Sequence, residues 1–199
     1  MSQRQLQKAQ TRQRIVRSAV DLLKRRGLAD ASVSEVMSGA GLTVGGFYAH
    51  FPSKDVLAEE AVREALAERR RLFLERPDRD GWRPRLESAL SEYFSQRHRD
   101  DRGGGCPMPA ASIDAAKSRT AATVLAEELA RMAEAFETGR DLASPRAPRD
   151  AALGSLALMV GGMIVARAVE GTPLSDEILA AATRFGAAAL HQLKEAEEA

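Results

Sequence analysis

Residues 32–57 read SVSEVMSGAGLTVGGFYAHFPSKDVL, and the parsing of that stretch decides the fold. Ser32 and Glu35 have the S-x-x-E spacing of a capping box, in which each side chain takes the other residue's unpaired backbone N–H. Val33, Val36, Met37 and Ala40 recur at helical spacing, and Gly41 ends that second helix. Thr43 can cap a third, shorter helix, which Pro52 closes. Ser53 can cap a long fourth helix that runs to about residue 75, before Pro77. The anomaly is Gly45-Gly46 inside the short third helix, since each glycine weakens a helix by about 1 kcal/mol relative to alanine. Two short helices joined by a glycine-containing turn make a helix-turn-helix, here over about 32–51. Upstream, Ile15, Ala19, Leu22 and Leu23 followed by Gly27 predict a first helix over roughly 11–26 that packs across the pair.

The chain has 199 residues, 29 Lys/Arg against 28 Asp/Glu, and a formal net charge of +1. That balance conceals a division. Residues 1–55 hold nine Lys/Arg against four Asp/Glu, which leaves 20 against 24 for the rest. A basic head on an acidic body points to a polyanion partner for the head, or else to helix faces that are merely well solvated. A single cysteine fits a reducing cytoplasm, and the polar start MSQRQLQKAQ is unlike a secretory signal. The longest uncharged run, 151–166, is shorter than the roughly 20 apolar residues of a membrane helix, so no membrane association is expected.

Beyond the fourth helix the pattern stays helical, and the fold class is all-α. Helices are expected near 83–98, 120–138, 150–170 and 175–195, with a short one over 110–117 after the loop HRDDRGGGCPMP. Pro145 and Pro148 punctuate a linker. Of the last two helices, the first is apolar nearly all round, with Leu153, Leu156, Val160, Gly161 and Ile164 among its residues. Leu179, Phe185 and Leu190 mark a stripe on the second. Such helices form either the core of a monomer or, with their copies from another subunit, a twofold four-helix interface. A helix-turn-helix protein that reads two half-sites favours the homodimer.

The segment TRQRIVRSAVDLLKRRGLADASVSEVMSGAGLTVGGFYAHFPSKDVL, residues 11–57, resembles the DNA-binding domain of the TetR family of bacterial transcriptional regulators. Gly41, Thr43, Gly45, Phe47, Tyr48, His50, Phe51, Lys54 and Leu57 stand in register with the family pattern. The resemblance implies a DNA-binding domain over 9–69 and an effector-binding and dimerisation domain over 70–199. It also implies a palindromic double-stranded operator, and release by a small molecule that shifts the fourth helix. On this reading Thr43 caps the reading helix and meets a phosphate, and Val44, Gly45 and Gly46 enter the major groove. Tyr48, His50 and Lys54 meet phosphates, while Phe47 and Phe51 pack inward.

Side chains large or polarizable enough to line an effector pocket are Trp82, Tyr93, Phe94, His98, Cys106, Met108, Met132, Phe136 and Met159, each of which could equally be core. Cys106 precedes a probable helix start, where a thiolate is favoured. A redox- or electrophile-sensing regulator is therefore the alternative to a buried, inert thiol. The three histidines show no metal-ligand spacing, and no nucleophile–base set stands out, so neither enzyme activity nor a cofactor or metal is expected. A DNA-coating protein without sequence preference is the remaining rival.

Overall fold

A computed structural model describes residues 2–75, 81–139 and 146–198; Pro77 and Pro145 lie outside the described residues. All the regular structure among them is helical. The chain forms two compact units. The first comprises residues 1–67 and 106–128, the second residues 68–105 and 129–199.

In the first unit, α1 (Gln3–Arg26) begins well upstream of the expected start. Ser2 and Gln5 form a capping box, and the Gln, Arg and Lys residues that follow sustain a helix without an apolar stripe. The helix buries Ile15, Val16, Ala19 and Leu23, and Gly27 stops it at a φ of 89°. The second helix, α2 (Val33–Gly39), carries the expected Ser32–Glu35 capping box. Hydrogen bonds and charge support from Ser32 and Arg26 hold the Glu35 carboxyl down at about 2. It crosses α1 closely because Gly39 has no Cβ, which would lie 2.4 Å from the Ser18 hydroxyl. That hydroxyl donates to the Val36 carbonyl at 2.7 Å.

After a short 3-10 helix (Val44–Ala49), α3 (Lys54–Leu74) starts from a Ser53 cap. Arg12 of α1 makes a bidentate pair with Glu60 of α3, and Gln13 donates to Glu64 at 2.8 Å. The expected second domain does not keep all of its residues. The helix α6 (Met108–Ala115) and the start of α7 (Arg119–Thr138) belong to the first unit. The tie is polar. The Asp114 carboxylate accepts the N–H groups of Leu28 and Ala29, and Lys117 pairs with Asp30 at 3.1 Å.

In the second unit the helix expected near 83–98 is two helices, α4 (Trp82–Tyr93) and α5 (Gln96–Asp100). Ser95 breaks it by accepting the N–H of His98 in an N-cap of its own. The last two helices, α8 (Arg149–Ala168) and α9 (Pro173–Glu198), pack on each other and on α4. Gly162 and Gly186 make this packing possible. A Cβ on the first would lie 2.7 Å from the Phe94 ring, and one on the second 2.8 Å from Leu90. Arg167 fastens α5 to α8 by donating to the carbonyls of His98 at 2.9 Å and Arg99 at 3.1 Å. The uncharged run 151–166 sits in a helix of 20 residues, long and apolar enough by composition to cross a bilayer, with a mean hydropathy of 1.7. Its Leu156, Met159, Met163 and Ala166 are instead buried within the protein.

Candidate nucleic-acid interface

The turn between α2 and the 3-10 helix is a complete Schellman motif. Leu42 N–H donates to Met37 at 2.8 Å, Gly41 N–H donates to Ser38 at 2.9 Å, and Gly41 has a φ of 66°. That left-handed residue reverses the chain and fixes the angle at which the next segment leaves α2. Arg14 supports the same corner by donating to the Ala40 carbonyl at 2.5 Å.

The expected third α-helix is a 3-10 helix. Its i→i+3 bonds run from Gly46 N–H to Thr43 at 3.2 Å and from His50 N–H to Phe47 at 2.9 Å. Thr43 stands at its N-cap position and is exposed, but its side chain makes no capping bond, contrary to the expectation. With three residues per turn, Gly45 and Tyr48 fall on one edge and Val44 and Phe47 on another. Phe47 and Phe51 are fully buried and stack at 5.9 Å, while Tyr48 meets Phe47 edge-on at 5.3 Å and remains 72% exposed. Val44 is 45% exposed. The guanidinium of Arg12 lies 4.4 Å over the Phe51 ring, so one arginine ties α1, α3 and the aromatic pair together.

The two glycines have no internal explanation. A Cβ on Gly45 would meet nothing within 4 Å, and one on Gly46 only the Met37 methyl at an ordinary 3.7 Å. Neither residue has a left-handed φ. The fold would accept side chains at both positions, so neither packing nor backbone conformation requires these glycines.

His50, at the C-terminal end of this segment, is half-buried, and its Nδ1 has no hydrogen-bond partner among the described residues. Burial pushes its pKa down, and Lys8 and Arg12 push the same way, so the imidazole is neutral at pH 7. The influence of Lys8 brings the N-terminal half of α1 to the edge of the site, a residue that sequence reasoning passed over. Its only signal was a cation in a helix that seemed to begin later. Lys54, expected to meet a phosphate, also has a partner inside the fold. Its ammonium donates to the Ala29 carbonyl at 2.6 Å and holds the α1–α2 loop against α3.

Similarity to known proteins follows the same surface. Residues 15–61 match the family model described as bacterial regulatory proteins, tetR family. That match spans the helix-turn-helix and the start of α3, so this segment is similar to the DNA-binding domain of the TetR family. A helix-turn-helix-type transcriptional regulator of Mycobacterium tuberculosis is 29% identical over 136 residues, 68% of each chain. The crystal structure of a TetR regulator from Chloroflexus aurantiacus shares 25% identity at a TM-score of 0.73, covering 94% of this chain and 96% of the other. A TetR-family structure from Cytophaga hutchinsonii agrees in fold at a TM-score of 0.67 and 19% identity, covering 92% and 96%.

The remaining predicted sites are dispersed. Trp82, Tyr93, Phe94, Met132, Phe136 and Met159 are buried in the second unit, whereas Cys106 and Met108 are buried in the first. Of these nine, only His98 lines a described cleft, one of about 430 Å³ that also touches Arg69, Arg97 and Asp101. His98 is held at about 4 by burial and by Arg69. Its Nδ1 donates to the Tyr93 carbonyl at 2.8 Å, and its ring meets that of Tyr93 edge-on. Phe136 packs on Phe73 at 4.4 Å, as core. Apolar spacing reports burial and cannot separate core from pocket wall. Cys106 is 1% exposed, which places its thiol in the buried surroundings that sequence reasoning set against a sensing role.

The dimer candidates also divide. Leu156, Leu179 and Leu190 are buried in their own unit's core, a correction that follows from α8 and α9 packing one face each on α4. Val160 and Ile164 are half-buried, and Leu153, Gly161 and Phe185 are exposed, Phe185 by 70%. Together with Ala157, Val165, Ala181 and Ala188 these last three leave an apolar strip along both helices.

Proposed function

We propose that this TetR-family regulator binds a palindromic double-stranded operator as a homodimer and is a repressor released by a small-molecule effector. The observation that carries the DNA reading is Gly45: an exposed backbone edge kept bare although its own fold has room for a side chain. Val44, Gly45 and Gly46 enter the major groove, where a bare backbone approaches base edges and thymine methyls. Thr43, Tyr48 and His50 face phosphates, joined by Lys8 at the rim, and these contacts set register and salt dependence. Lys54 acts one step back, by fixing the α1–α2 loop from which α2 departs.

The exposed strip of Leu153, Ala157, Gly161, Val165 and Phe185 supports the homodimer, since contiguous exposed apolar side chains on long helices mark association surfaces. A Cβ on Gly154 or Gly161 would meet nothing within 4 Å, which leaves room for a second copy to come close. The effector belongs in the second unit, where the His98 cleft offers cations, two carboxylates and a neutral imidazole. Its release of DNA amounts to preferring the arrangement that cannot span two half-sites; a preference of about 100-fold is about 2.7 kcal/mol of coupling. Acting on DNA, the protein works in the cytoplasm. Selection of bound duplexes from a random pool by the full-length protein tests the reading, and a twofold-symmetric consensus is expected. Salt-sensitive binding without sequence preference would support a DNA-coating protein instead.

A further inference from the structure

We propose that the first unit carries a second small-molecule site, a cavity bounded by α1, α3, α6 and α7 that takes an amphipathic amine. The cavity measures about 320 Å³, at the lower end of the roughly 300–1,000 Å³ range of small-ligand clefts. Every lining residue belongs to the unit that bears the reading segment, none to the unit of the His98 cleft. The site is therefore distinct from the effector cleft and does not rest on the effector reading.

The walls define the ligand's body. Leu23, Val62, Val124 and Leu125 are buried apolar side chains that meet the cavity from three helices. A space walled this way favours an apolar group over water, because water there finds too few polar partners. The charged residues around it define the ligand's head. Most are already engaged. Lys54 donates to the Ala29 carbonyl, Lys117 pairs with Asp30, and Asp114 accepts the N–H groups of Leu28 and Ala29. Two carboxylates remain. Asp55 and Glu59, one turn apart on α3, line the cavity and have no hydrogen bond or ion pair among the described residues. The neighbouring Arg63 donates to Glu127 at 2.6 Å and lies 3.8 Å from Glu128, so Glu59 receives only the weakest of its attractions.

Asp55 suits the positive end of α3, but Glu59 lies a turn farther on and gains little from it. Like charges four residues apart repel, and one cation placed between them relieves both. An anionic ligand would add to that repulsion, and a neutral one would leave it unchanged. An apolar body with a single ammonium satisfies the walls and the two carboxylates together.

The test uses the full-length protein and isothermal titration calorimetry with 4-phenylbutylamine, against 4-phenylbutanol and 4-phenylbutyrate as neutral and anionic controls. One amine per chain is expected, bound about tenfold more tightly than the alcohol, the worth of a charge-assisted hydrogen bond. The Asp55→Asn/Glu59→Gln double variant should cut that preference to below about twofold with the alcohol unaffected. Because neither carboxylate is bonded within the fold, this variant retains its structure. Ala121→Trp, on the half-exposed side of the lining, should fill the cavity and abolish binding of both compounds. Equal affinity for amine and alcohol would overturn the proposal. So would a preference that survives in the double variant, or unchanged amine binding in Ala121→Trp with a wild-type melting curve.

Discussion

Gly45 separates what the fold needs from what DNA needs, because a substitution there should move stability and operator affinity in opposite directions. A methyl at this position meets nothing within 4 Å, and the backbone is not left-handed. Gly45→Ala therefore removes unfolded-state freedom without native strain, a gain of about 0.4–1 kcal/mol. For a chain of this length that is a rise in Tm of about 1–4 °C. Gly45→Glu should also fold, with its carboxylate directed outward into the major groove, where it faces base acceptors and the phosphates along the rim. A like charge about 4 Å away costs about 1 kcal/mol in bulk water and about 4 kcal/mol at an effective dielectric of 20. Each reading head thus loses between about fivefold and about a thousandfold, and a dimer carries two heads. The assay is fluorescence anisotropy with the selected operator, paired with thermal unfolding on the same preparations. Weakened binding by both variants with unchanged or raised Tm is expected. Wild-type operator affinity for Gly45→Glu, or a Tm drop of several degrees for Gly45→Ala, would refute the reasoning.

Lys54→Met keeps the aliphatic stem but loses the bond to Ala29, so it should lower stability in urea unfolding by about 1 kcal/mol and leave the salt dependence of operator binding unchanged. A salt slope reduced by about one would instead place that ammonium on a phosphate. Asp114→Asn puts an amide where a carboxylate receives two backbone N–H groups; a loss of about 1–3 kcal/mol is expected, read from the urea midpoint. Phe185→Lys should leave the monomer's fold intact, since the ring is 70% exposed, and shift sedimentation velocity from dimer to monomer at micromolar protein. His98 binds its proton more weakly folded, at about 4, than unfolded, near the ordinary 6.5. Its contribution to stability is therefore full above about pH 6.5 and lost as pH falls toward 4, and His98→Gln should flatten the decline of Tm over that window.

The reading segment was legible because its signals are local. The Ser32–Glu35 box, the stop at Gly41 and the two glycines act through neighbours one to six residues away. Phe47 and Phe51 could be assigned inward and Tyr48 outward on the same grounds, and the burial agrees. Elsewhere the deciding feature was the backbone geometry or a partner that only the fold supplies. Thr43 has the chemistry of a cap, yet the tighter winding around Gly45 and Gly46 leaves its hydroxyl unused. Lys54 has the charge of a phosphate ligand, but its bond to the α1–α2 loop, 25 residues upstream, exists only once α3 is placed. Ser18 opposite Gly39, and Gly186 beneath Leu90, carry no message in sequence because a close crossing exists only once both helices are placed.

By itself the sequence determined the helical elements, the helix-turn-helix and the basic charge of the head, all of which follow from periodicity, capping and composition over short spans. Only the tertiary structure decided which apolar residues are core and which remain on the surface. A stripe of leucines is equally compatible with both until a partner helix covers one face. The same holds for residues 106–128, which join the DNA-reading unit because Asp114 and Lys117 find backbone and charge partners there. Those bonds span some 85 residues of chain, and spacing along a sequence encodes only what lies within a few turns.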